Sequence, residues 1–79
     1  MPHIVIKTLE GKPREQLEKA AQQALAAVNE AFGMKPERLF SVSVEEYSLP
    51  EWEGVYNTEI KDNENIIIKP GYTNPVTFE

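Results

Sequence analysis

Few side chains in this sequence could carry out chemistry. The 79 residues include no cysteine and a single histidine, His3, so the sequence predicts neither a thiolate nucleophile nor a metal site. Glu45 and Glu46 are adjacent, and adjacent residues of a strand point to opposite faces, so these two do not form a catalytic carboxylate pair. The remaining candidate is Pro2, which directly follows Met1.

Pro2 has two interpretations. Proline is tolerated as the first residue of a strand because its missing N–H needs no partner there. Proline is also one of the small residues after which an initiator methionine is usually removed. Its position alone favours the interpretation as a tolerated strand start. A functional role therefore has to be supported by the elements that follow Pro2 in the sequence.

The residues after Pro2 predict a strand and then a helix. HIVIKT, His3 to Thr8, is β-branched and alternating, with Ile4 and Ile6 on one face. Pro13 suits the first helical position, and Gly33 suits the residue just after a helix. Between them one helix face is apolar, at the positions Leu17, Ala21, Ala24, Val28 and Ala31 or Phe32.

A second strand follows the helix. In LFSVSVEEY, apolar and polar residues alternate, with Phe40, Val42 and Val44 on one face. Strand, long helix and strand form a βαβ unit, whose two strands are parallel and joined by a right-handed crossover. The expected fold class is therefore α/β (α+β).

The last two fifths of the sequence predict short elements. SLPEWEGVYNTEI suggests a short helix that begins near Ser48 or Pro50. Ile66 to Ile68 predict a short strand before a turn at Pro70-Gly71, and Pro70 and Pro75 exclude a long central strand. With no repeat or linker, we expect a single domain over residues 1–79.

Charge and size restrict the partners. The net charge of −5 argues against nucleic acid, which binds to basic surfaces. No apolar run approaches the roughly 20 residues that span a membrane, and no signal peptide is recognisable, so a cytoplasmic protein is expected. A short chain with a two-stranded sheet is marginal alone, which predicts a homo-oligomer.

These features together resemble the 4-oxalocrotonate tautomerase family, small enzymes whose catalyst is an amino-terminal proline. The similarity covers Met1 to about Thr73 and rests on MPHI, the βαβ unit, LEGKPREQLEK, SVSVEE, EWEGVYNTEI and KPGY. The second half resembles the slightly longer, dimeric phenylpyruvate-tautomerase-like PptA subgroup. The resemblance implies a tautomerase-like fold, a homodimer rather than a hexamer, and no cofactor.

The resemblance implies a keto–enol tautomerase for enols or unsaturated 2-oxo acids. Pro2, freed by removal of Met1, would act as the general base and then as the acid. The apolar neighbours Ile4, Ile6 and Phe40 would disfavour the ammonium form and lower the pKa of the prolyl amine. Acid–base catalysis is most efficient when that pKa is near the ambient pH.

Three further positions are implied as substrate-binding residues. Lys12 matches the family's turn arginine and keeps its charge without the planar fork; it could instead be a solvated lysine. Ser41 stands where the family has a second arginine and could hold an enolate oxygen, or simply face solvent. Trp52 could form an aromatic wall for a phenyl-bearing enol, or pack in the core or dimer interface.

Two other functions stay open. The chain could be a catalytically inactive homodimeric binding module that keeps the tautomerase fold. Alternatively, Pro2 could act as a nucleophile that forms an imine with a carbonyl compound.

Overall fold

A computed structural model describes residues 1–73 and confirms the expected fold class, with two parallel strands, one long helix and a short second helix. The contacts divide the chain into two compact units. The first spans Met1–Glu46, and the second begins at Tyr47.

The sheet has two strands, β1 (His3–Leu9) and β2 (Ser41–Tyr47). The backbone N–H of Ser41 donates to the carbonyl of Pro2 at 3.2 Å. Because the strands are parallel, this hydrogen bond places both strand starts at one edge of the sheet. The alternation of β1 is confirmed, since Ile4 is half-buried and its neighbour His3 is exposed.

The long helix, α1, spans Arg14–Ala31. Its predicted apolar face is confirmed from Leu17 to Val28, but Phe32 is 59 % exposed and does not extend it. Pro13 was predicted to be the first helical residue. It is instead the N-cap, and its backbone is still extended, with ψ 150°. The reason is that its carbonyl already accepts the first hydrogen bonds of the helix while its own backbone is still extended.

Gly33 ends α1 as predicted, in a Schellman motif. At φ +92° it adopts the left-handed conformation that glycine tolerates best. The N–H of Met34 donates to the carbonyl of Asn29 at 2.8 Å, and the N–H of Gly33 to that of Glu30 at 3.3 Å. The side-chain oxygen of Asn29 also accepts from the N–H of Lys35 at 2.7 Å. One buried residue therefore holds the turn that leads towards β2.

The second unit begins with a short helix, α2 (Leu49–Val55), preceded by a capping box. The Glu51 N–H donates to the Ser48 hydroxyl at 3.2 Å, and the Ser48 N–H donates to the Glu51 carboxylate at 2.7 Å. The hydrogen bond from the Ser48 backbone N–H is the larger of two causes that lower the pKa of the Glu51 carboxyl, and the interaction with the Ser48 hydroxyl is the smaller. Desolvation acts in the other direction and raises this pKa. The predicted helix start near Ser48 is confirmed.

A π-helical turn, Tyr56–Ile60, continues α2 directly. It closes with the Lys61 N–H donating to the carbonyl of Tyr56 at 2.7 Å, five residues back. Asp62 follows with φ +60°, which is uncommon for a residue other than glycine. Such turns inside helices are rare and are frequent at functional sites.

The predicted strand at Ile66 to Ile68 is wrong. Ile67 and Ile68 are 95 % and 87 % exposed, and this segment joins no sheet among residues 1–73. A strand needs a neighbour to satisfy its backbone, and here the N–H of Ile66 instead donates to the carbonyl of Asn63 in a turn. Pro75, which we used to limit strands in the tail, lies outside the described residues.

Within residues 1–73, no helix combines the length and apolar composition needed to cross a membrane. The same residues contain no group of three histidine, cysteine, aspartate or glutamate side chains placed to hold a metal ion.

Candidate functional site

Pro2 lies directly before β1 at the edge where both strands start. Its carbonyl is held by the N–H of Ser41, and the residue is half-buried. By the alternation of an extended strand, Pro2 shares the face of the half-buried Ile4 and Ile6. A prolyl nitrogen freed at this position would be held in a fixed ring next to an apolar strand face.

Ser41 lies at the same edge of the sheet as Pro2. Its hydroxyl oxygen is 2.6 Å from Nδ1 of His3, the residue opposite it on β1. Both side chains are exposed. Sequence reasoning treated His3 and Ser41 separately, and the signal that could have paired them is the parallel register, which sets the first residues of the two strands side by side.

Lys12 lies beyond the opposite end of β1. Its ammonium donates to the hydroxyl of Thr8 at 3.0 Å and to the carbonyl of Leu9 at 3.2 Å. A seven-residue strand is about 23 Å long at 3.3 Å per residue, so Lys12 and Pro2 of one chain do not share a site. Within its own chain, Lys12 closes the turn between β1 and α1.

Trp52 lies on α2 and belongs to the second unit. Its indole N–H donates to the hydroxyl of Tyr72 at 2.9 Å, and its ring meets that of Tyr47 edge-on, with centroids 6.1 Å apart. The rings of Tyr56 and Tyr72 are 5.6 Å apart and tilted by 39°. Trp52 is therefore part of an aromatic cluster formed by Tyr47, Trp52, Tyr56 and Tyr72.

The second unit also contains a cleft of about 480 Å³ that sequence reasoning missed. It lies between the π-helical turn and the KPGY segment, and Tyr72 of the aromatic cluster lines it. The sequence here, KDNEN, resembles an ordinary polar loop, and no periodicity marks a cavity. The cleft depends on the π-helical turn and on the positive φ of Asp62, neither of which follows from residue type.

Of the four predicted site residues, the structure brings together only Pro2 and Ser41. Lys12 is at the far end of the strand, and Trp52 is in the other unit. Once Met1 is removed, the strand edge would offer a rigid amine on the side of Ile4, while the Ser41 hydroxyl and the His3 imidazole lie on the other face of the sheet.

Comparison with known proteins gives one informative match. No family model matches the chain. The chain is 30 % identical over 74 residues to a protein of Xylella fastidiosa (strain 9a5c) described as a probable tautomerase. The match covers 91 % of this chain and 89 % of the relative, so it extends over nearly the whole of both proteins.

Proposed function

Because this chain belongs to the tautomerase family, we propose that it is a keto–enol tautomerase in which Pro2 is the general base and acid. The observation that carries the proposal is the position of Pro2 at the strand edge, half-buried and held through its carbonyl. The substrates are enols or unsaturated 2-oxo acids, and the amine forms when Met1 is removed.

In this proposal one nitrogen moves the proton in both steps. The Pro2 amine takes the proton from the hydroxyl of an enol as the carbonyl forms. The resulting ammonium returns that proton to the neighbouring carbon of the double bond, so the product is the keto acid and the amine is regenerated. The pyrrolidine ring restricts the direction of the nitrogen lone pair, which supports both transfers by preorganisation.

Ser41 stays a prediction as the residue that binds the substrate oxygen on which charge develops, because its hydroxyl lies with His3 on the face opposite Ile4. Its hydroxyl can donate to that oxygen only if it does not already donate to His3. The 2.6 Å contact fits a His3 tautomer whose Nδ1–H donates to the Ser41 oxygen and leaves the serine proton for the substrate.

The substrate carboxylate is proposed to bind Lys12 from a second copy of the chain. Lys12 of the same chain is too far along β1 to reach a substrate at Pro2. A homodimer that brings the end of one strand to the start of another removes this obstacle. Trp52 as an aromatic wall also stays a prediction.

The test is ketonisation of phenylenolpyruvate, followed by ultraviolet absorbance, with protein whose intact mass shows that Met1 is absent. We expect Pro2→Ala to lower the rate by about 100-fold or more, the scale of a lost acid–base group. Pro50→Ala is the matched control, because it removes an exposed proline of α2 and should leave the rate unchanged.

No activity in the processed wild type, or equal rates for wild type and Pro2→Ala, would overturn the proposal. The chain would then be better described as a binding module that keeps the fold without this chemistry.

A further inference from the structure

We infer that the cleft of the second unit binds a small monocarboxylate with an apolar or aromatic body. The inference rests on the cleft residues between Tyr56 and Tyr72 and on Trp52, which contacts Tyr72, so it does not depend on catalysis by Pro2. Its volume of about 480 Å³ lies within the range of small-molecule sites.

The half-buried residues that line the cleft, which we call its floor, are apolar or aromatic. They are Tyr56, Ile60, Ile66 and Tyr72. The rings of Tyr56 and Tyr72 lie 5.6 Å apart and tilted, and both tyrosines line the cleft together with the two isoleucines. An apolar or aromatic ligand body would cover these side chains and remove their apolar surface from water.

The rim of the cleft is charged and exposed. It carries the ammonium groups of Lys61 and Lys69 and the carboxylates of Asp62 and Glu64. Within residues 1–73, none of these four side chains is engaged in an ion pair. Apolar floor and charged rim together fit an amphipathic ligand that places its charged group at the mouth.

The hydrogen-bond donors of the cleft select an anionic group. The Tyr72 hydroxyl accepts from the indole of Trp52 at 2.9 Å, so its own proton stays available to a ligand. Two ammonium groups add further donors, and charge-assisted hydrogen bonds to carboxylates are stronger than neutral ones. Asp62 and Glu64 balance the charge of the two lysines, so the lining has no excess positive charge to hold a second carboxylate, which favours a monocarboxylate over a dicarboxylate.

The local backbone supports a built site rather than a chance depression. The cleft is bordered by the π-helical turn at Tyr56–Ile60 and by Asp62 at φ +60°. If α2 continued as a regular α-helix through Ile60, the chain after Ile60 would leave the helix in a different direction from the one that the π-helical turn gives it. Both departures from regular geometry cost free energy, and such departures cluster at ligand sites.

The experiment is a titration of ¹⁵N-labelled full-length protein with phenylacetate, followed by amide chemical shifts. We expect saturable shifts centred on residues 61–66 and on Tyr72. Phenylacetamide has the same body without the charge, and phenylsuccinate carries a second carboxylate, so both should bind more weakly than phenylacetate. The Pro2→Ala variant should bind phenylacetate as well as the wild type.

Substitutions at the charged rim test whether its lysines bind the carboxylate of phenylacetate. Lys61→Gln with Lys69→Gln should weaken phenylacetate binding by about tenfold or more, as expected when charge-assisted hydrogen bonds are lost. Both lysines are exposed, so the substitutions should leave folding intact. Lys19→Gln removes one exposed lysine of α1 and should have no effect.

Equal binding of phenylacetate and phenylacetamide would overturn the inference. So would shifts confined to other residues, or a double lysine variant that binds like the wild type. Because the readout is binding, these results are independent of whether the chain ketonises phenylenolpyruvate.

Discussion

At the scale of single residues, Asn29 shows how one polar side chain can organise a turn. It is 3 % exposed, and both its backbone carbonyl and its side-chain oxygen accept hydrogen bonds from the chain beyond α1. A buried acceptor of this kind satisfies N–H groups that would otherwise lose their water without a partner. Asn29 therefore fixes the path from the helix towards β2.

We expect Asn29→Ala to lower the free energy of unfolding by about 1–3 kcal/mol, because the N–H of Lys35 loses its acceptor. Urea unfolding followed by circular dichroism measures the change. Gln23→Ala is the control, since Gln23 is exposed on the same helix and should change stability by no more than about 0.5 kcal/mol. An Asn29→Ala variant as stable as the wild type would contradict this role.

Sequence reasoning could find some single residues and not others. Gly33 was predictable because few residues tolerate the conformation after a helix. Asn29 was missed because a polar residue within a helix suggests an exposed position, and its partner Lys35 is defined only once the turn has formed. Ser41 was predictable as a strand residue, but its contact with His3 required the register of two strands.

At the scale of elements, α2 depends on its first turn. A seven-residue helix is too short to be stable from backbone hydrogen bonds alone. The reciprocal hydrogen bonds of Ser48 and Glu51 satisfy two N–H groups at the start of this helix. The negative charge of Glu51 also interacts favourably with the positive end of the helix dipole and so stabilises α2.

The capping box makes α2 sensitive to acid. The folded pKa of Glu51 lies below its unfolded value, so the stabilisation is present above the unfolded pKa and is lost as the pH falls through the folded pKa. We expect the amide shifts of α2 to move in that acidic range. Glu51→Gln keeps a side-chain acceptor without the titration, so its α2 shifts should not follow this transition; identical titrations in both proteins would contradict the assignment.

The same scale separates what the sequence could predict from what it could not. β1, β2 and α1 have clear periodicity, because each buries one face, and their predicted types were right. The isoleucine run at Ile66 to Ile68 has the composition of a strand, but in the part of the chain that the structure describes it pairs with no other strand. The amino-acid composition of a segment indicates its local preference for a strand, but whether a neighbouring strand is present to pair with it depends on the whole fold.

At the scale of the whole molecule, Lys12 and Pro2 raise the question of how many chains form one site. They lie beyond opposite ends of a strand about 23 Å long. A two-stranded sheet is also marginal by itself, and association with a second copy would stabilise it. On both grounds we propose a dimer whose sites combine residues of two chains.

Mixed dimers test this arrangement. We expect Pro2→Ala and Lys12→Ala to be nearly inactive separately, and their co-expressed mixture to recover about a quarter of wild-type activity, because half of the random dimers then hold one intact site of two. The rate of phenylenolpyruvate ketonisation measures the recovery. A mixture of Lys12→Ala with the double variant cannot form an intact site and is the control. No recovery in the first mixture would place the site within one chain.

The hydrogen bond between Pro2 and Ser41 has a consequence for how the protein is made. Proline has no N–H, so Pro2 joins the ladder only through its carbonyl, and Met1 before it is 98 % exposed. An aminopeptidase can therefore act on the nascent chain or on the folded protein and leave the same ladder behind. In the proposed mechanism, processing would then not have to be coordinated with folding, and the residue that starts the sheet would also be the one that processing turns into an amine.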